Sequence, residues 1–235
     1  MPPPCASRLL ILCDNHRPVS APAWLVIAFP VWLALPAPRL DPQTPQALVD
    51  RAEAEFGAGH IAESVATYDE LTALVPSVAP ILWQRGIGLY LLGRYDDCAR
   101  QFASYYAENA GDLENASWHF LCVVRGQSLA RARADFWRAG PDPRILRTEI
   151  YEMMRGAITP DELVAIAAQS VPVAQFYSHL YAGLYLDAVG DRRRAIAEMT
   201  IAASDQFRSE GGFMNVVARV DLAIMQRSEF VHDLR

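Results

Sequence analysis

A period of 34 residues constrains this chain more than any other feature in it. Aligning GHIAESVATYDEL (Gly59 to Leu71) beneath GRYDDCARQFASY (Gly93 to Tyr105) superposes a turn glycine, a small residue and an aromatic: Gly59, Ser64 and Tyr68 fall on Gly93, Cys98 and Phe102. Another 34 residues on, Ala132, Phe136 and Ala139 repeat the small–aromatic–small set. Upstream, Ala52 falls on Gly86, where the third copy carries Phe120, and Pro76 closes the first copy. Self-similarity at this spacing marks stacked helix pairs, each burying its apolar face only against its neighbours. It also accounts for WQRGIGLYLLGRYDDCARQF. Gly86 and Gly88 lie in a helical stretch, where each costs about 1 kcal/mol against alanine. Small residues at the eighth and twentieth positions of a copy, Gly86 and Cys98, let two helices cross closely, and the aromatic at the twenty-fourth fills the space beneath.

The repeat divides the chain into units 45–78, 79–112 and 113–146. The register then breaks over 147–175, which reads as two shorter helices. Gly156 ends the first, and Thr159-Pro160-Asp161-Glu162 opens the second as a capping box with proline at the first helical position. A fourth unit, 176–209, carries Gly183, Gly190, Ala195, Met199 and Ala202 at repeat positions, and a last helix over 213–227 covers the end of the stack. The fold expected is all-α: a right-handed superhelical array of helix pairs over 45–235, with an irregular helical insertion.

Residues 1–44 carry no repeat signature. Arg8 and Arg17 precede an uncharged run, APAWLVIAFPVWLALPAP at 21–38, interrupted by Pro22, Pro30, Pro36 and Pro38. A basic stretch before a short apolar one is the pattern of a targeting segment. The run is expected not to pack on the helical core, and it gives the chain a membrane contact only if it is retained.

Composition narrows the function classes. The net charge is −6 and the only basic run is Arg192 to Arg194, which argues against nucleic acid as a partner. All 21 basic residues are arginine. Cys5, Cys13, Cys98 and Cys122 form no CxxC pair; Cys98 and Cys122 fall on apolar helix faces, as free thiols acting as small hydrophobes. His119 and Cys122, three residues apart, are too few ligands for a metal site. No nucleophile elbow, phosphate loop or dinucleotide fingerprint is present. The sequence thus implies no catalytic residues, no metal and no cofactor.

WQRGIGLYLLGRYDDCARQF, ENASWHFLC, FYSHLYAGLY and ARVDL resemble the tetratricopeptide repeat family, in particular a group of plant, algal and bacterial proteins, often with predicted chloroplast targeting. The order of elements is also similar to the bacterial NlpI-type adaptors, which are non-enzymatic scaffolds for peptidases and cell-wall hydrolases. This chain differs from those in having no cysteine after the apolar run to carry a lipid. The resemblance implies an organellar or extracytoplasmic address and a protein or peptide partner; it leaves the oligomeric state open.

In such an array the first helix of each pair lines a concave face. Its outward positions here hold Trp83, Gln84, Ile87 and Tyr90, then Trp118 and Leu121, then Tyr177 and Tyr181. The lysine–asparagine set that similar chaperone cofactors use to clamp a carboxylate is absent from these positions. An aromatic, apolar surface of this kind is suited to a polypeptide segment, unless later helices fold back and bury it. Arg85 and His119 occupy a position that is usually apolar, and a buried charge demands a partner. With His179 they form the alternative site, a pocket for a small anion.

Overall fold

The structure is a computed structural model describing residues 44–108, 111–137 and 146–233. All regular secondary structure in those residues is helical. The targeting segment, apart from Thr44, and Ala139 of the third copy lie outside them.

Helix α1 (Pro45–Gly57) and α2 (Ile61–Leu74) form the first pair. α3 (Trp83–Leu91) and α4 (Tyr95–Glu108) form the second, and α5 (Leu113–Gly126) and α6 (Leu129–Ala134) the third. The second helices start at Ile61, Tyr95 and Leu129, each 34 residues after the last. Local chemistry sets these boundaries. The Thr44 hydroxyl accepts from Ala47 N ahead of Pro45, and Asp112 accepts from Glu114 N and Asn115 N. Gly59 and Gly93 turn the chain at φ 79° and 72°, a left-handed conformation that costs glycine little. The third copy has Gln127 at that place, at φ −133°, and uses the Ser128 side chain to cap α6 instead.

The insertion is α7 (Arg147–Arg155) and α8 (Pro160–Ala167). Gly156 stops α7 at φ 82°, and Thr159 and Glu162 form both bonds of the capping box. α9 (Pro172–Ala188) and α10 (Arg192–Ala202) make the fourth pair. α11 (Phe213–Asp233) is longer than the helix expected over 213–227.

The small residues sit where helices cross. Ser64 Oγ donates to Ala52 O at 2.8 Å, tying α2 to α1. A β-carbon on Gly86 would stand 2.8 Å from the Phe102 ring, and one on Gly88 would stand 2.7 Å from Val65 Cγ2. Two positions apart in one helix, these glycines face nearly opposite sides, so α3 is squeezed between α4 and α2. Gly183 meets Ala195 O and Met199 in the same way.

Two expectations change. Cys98 and Cys122 are not free thiols: they form a disulfide joining α4 to α5. And α11 does more than cover α10. The Phe213 ring lies 5.0 Å from Phe56 and 5.4 Å from Trp83, and Gly57 of α1 packs beside Val216. The last helix therefore reaches back to the first pair.

Candidate functional site

That closure decides what becomes of the concave face. Ile87, Leu121 and Tyr181 are fully buried, and Trp118 and Tyr90 are 2% and 5% exposed. The open aromatic surface expected along α3, α5 and α9 is mostly core: Trp118 stacks on Phe102 and meets the edges of Tyr90 and Tyr181. Trp83, Gln84 and Tyr177 stay half-buried. Gln84 contacts Glu53 of α1 at 3.4 Å. A repeat period fixes how neighbours stack and carries no information on whether distant helices return to fill the groove.

What remains is a cleft of about 370 Å³, within the range of small-ligand pockets. Trp83 of α3, Phe102 and Tyr105 of α4, and Tyr177 of α9 form its aromatic walls. Phe213 and Met214 of α11, with Gly211 before it, form the covering side. The N-terminal turn of α5 contributes Asp112, Glu114, Asn115 and Trp118. Phe102, Asn115, Trp118 and Met214 are buried; the other walls are half-buried, so the cleft reaches the surface.

Two polar atoms of lining residues, each closed off from solvent, stand out. Asn115 donates through Nδ2 to Phe102 O at 3.0 Å, but its Oδ1 accepts from no group among the described residues. Trp118 Nε1 likewise has no acceptor among them. Buried polar atoms are almost always satisfied, and an unmatched one costs about 1–3 kcal/mol. Asn115 lies at a repeat position that does not face outward in an array, so the period gives no signal for it.

The wall behind Tyr177 holds a charged network. Arg147, 5% exposed, donates to Glu114 at 2.7 Å and lays its guanidinium 4.5 Å from the centre of the Tyr177 ring. The Tyr181 hydroxyl donates to the other oxygen of Glu114 at 2.8 Å. Burial, with Glu114 beside it, pushes the Tyr181 phenol well above its ordinary range. Arg147 comes from the insertion, so the break in the repeat supplies a group that holds the cleft together.

The alternative site is not assembled. Arg85 pairs with Asp69 at 2.7 Å and with Gln101 at 2.9 Å, so its charge has partners outside the cleft. His119 stacks on Trp137 with ring centres 3.7 Å apart. Burial lowers its pKa to about 4, so the ring is neutral. His179 contacts Glu198 through Nδ1 at 2.7 Å. Each is engaged with a different element, and none of the three lines the cleft.

No protein-family model matches the chain, and no curated protein matches it.

A second polar cluster lies in the interior. Asp187 of α9 is held by Arg125 at 3.3 Å and by Arg192. Asp221 of α11, 4% exposed, has an Oδ2 without a donor among the described residues, and its pKa is raised to about 7 by burial first and by Asp187 second. Tyr90 is buried nearby, and its hydroxyl too has no partner among the described residues. The cluster links α3, α5, α9, α10 and α11, and no part of it lines the cleft.

Proposed function

We propose that the chain is a non-enzymatic binding module of the tetratricopeptide type that takes a segment of a partner polypeptide into the cleft between α3, α5, α9 and α11. The observation carrying this reading is the cleft itself, where the half-buried aromatic rings of Trp83, Tyr105, Tyr177 and Phe213 converge on one opening at the surface. Such walls supply the apolar area on which a polypeptide segment is held. The 34-residue spacing of helix starts and the small residues at the crossings support the repeat assignment. The Cys98–Cys122 disulfide supports an oxidising, extracytoplasmic address over a reducing one.

The test is selection of a randomised twelve-residue peptide library on the full-length chain. Enriched peptides should bind the wild type, and Trp83→Ala, at the half-buried rim, should weaken them by about tenfold with the helical circular dichroism unchanged. No enrichment, or binding indifferent to Trp83, rejects the reading.

A further inference from the structure

We infer that α11 is latched onto the array by a proton held on Asp221, so that its closure is tight in acid and loosens in alkali. α11 is the last described helix. It follows Gly211 and Gly212, at φ 71° and 53°, a left-handed pair that costs glycine little and gives the helix a hinge. Its inner face buries Met214, Val217, Ala218, Val220 and Met225, and within that apolar row stands a buried carboxyl, Asp221.

The groups that face Asp221 come from the helices packed around it. Asp187 of α9 repels it, and Arg192 of α10 and Arg125 of α5 offset part of that repulsion. Both guanidiniums are bonded to Asp187, Arg125 at 3.3 Å and Arg192 through its Nη1. Arg125 also donates to the Tyr95 hydroxyl of α4 at 3.0 Å, and Arg192 donates to Met225 O of α11 at 3.1 Å. Tyr90 of α3 adds a buried hydroxyl, not a charge. α1 meets α11 through Phe56 and Gly57, which carry no charge.

An ionised Asp221 would thus hold an oxygen closed off from water, with no donor among the described residues, near a second carboxylate. A buried acid so placed keeps its proton instead, and its pKa rises to about 7. Swung out into water, the same carboxyl ionises near 4. The docked helix therefore binds a proton that the released helix gives up, and release is favoured as pH rises. Release of α11 alone removes the conflict, because Arg125, Asp187 and Arg192 tie α5, α9 and α10 together without Asp221. Phe213 and Met214 move with the helix, so the same proton governs the covering side of the cleft.

The experiment is amide hydrogen exchange of the full-length chain from pH 5 to pH 8, read as protection factors, which take out the intrinsic pH dependence of exchange. Exchange detects an open form that is a minority at every pH. Protection over 213–227 should fall across that range by up to about eightyfold, the factor set by carboxyl pKa values of about 7 docked and 4 released. At pH 8 it should lie well below that of α5, whose amides open only with the whole fold. Asp221→Asn keeps the shape and cannot ionise, so in it α11 should hold its protection throughout. Wild-type α11 protection that does not fall with pH, or that equals that of α5 at every pH, overturns the latch whether or not the variant folds. A fall of the same size in Asp221→Asn overturns it as well.

Discussion

Cys98 and Cys122 are bonded across the contact of α4 with α5, with their Cα atoms 5.9 Å apart. Cys98 lies one helical turn before Phe102 and Cys122 one turn after Trp118, so the bond ties together the two helices that carry this stacked pair on the cleft floor. Closing a loop over a sequence separation of 24 removes unfolded-chain entropy worth about 3 kcal/mol. Replacing both cysteines by serine should lower the calorimetric melting temperature by roughly 6–12 °C. Alkylation of the folded, unreduced wild type should leave both positions unlabelled. Labelling at either one, or an unchanged melting temperature, would count against the bond.

Gly86 and Gly57 should answer alanine in opposite directions. At Gly86 the added carbon meets the Phe102 ring at 2.8 Å inside a packed core, so Gly86→Ala should destabilise by about 1–3 kcal/mol despite its better helix propensity. At Gly57, the last residue of α1, the nearest neighbour is Val216 Cγ1 at 3.6 Å, an ordinary contact. Gly57→Ala should therefore be neutral or stabilise by up to about 1 kcal/mol. Urea titration of the two variants reads the signs directly.

Asp221 and His119 make the pH dependence a contest. The folded pKa of Asp221, raised to about 7, exceeds the unfolded carboxylate value near 4. Its contribution is thus fully present below pH 4 and is lost as pH rises through 7. His119 is lowered to about 4 from 6.5, so its contribution is present above pH 6.5 and is lost as pH falls toward 4. Relative to wild type, Asp221→Asn should gain stability on going from pH 4 to 8, by as much as ~4 kcal/mol. His119→Gln should lose less than wild type on acidification over pH 6.5 to 4. Equal pH slopes in wild type and both variants would contradict the two burials.

Glu114 and Arg147 should behave as a unit. Glu114→Gln leaves the guanidinium, 5% exposed, without its carboxylate at 2.7 Å, a change that costs about 3–5 kcal/mol when a buried pair is broken. Arg147→Met in the same background should recover part of that loss. A double-mutant cycle with no coupling energy would show that the pair is not what holds α7 to α5.

The sequence made local structure legible and left long-range closure hidden. Glycine turns, hydroxyl and carboxylate caps and the 34-residue period are nearest-neighbour signals, and the helix starts at Ile61, Tyr95 and Leu129 follow them. Trp118 and Tyr181 occupy outward repeat positions, and their burial depends on α9 and α11 arriving from far along the chain. The thiols of Cys98 and Cys122 read as small hydrophobes, since the docking that pairs them is not written in either helix alone. Of the residues that line the cleft, Trp83, Trp118 and Tyr177 stand at outward repeat positions, whereas Asn115 and Asp112 belong to a helix terminus whose side chains are usually assigned to capping alone.

The contact of Phe213 with Phe56 joins the last helix to the first. In an open stack the end units can melt independently, and stability is a sum over neighbours. Here neither terminus is an end in that sense, because loosening α1 also uncovers α11. The molecule is expected to lose its structure in one concerted transition, with no partly melted array populated on the way, and to form slowly for a helical protein, because contacts between the most distant parts of the chain must be made before the core is complete.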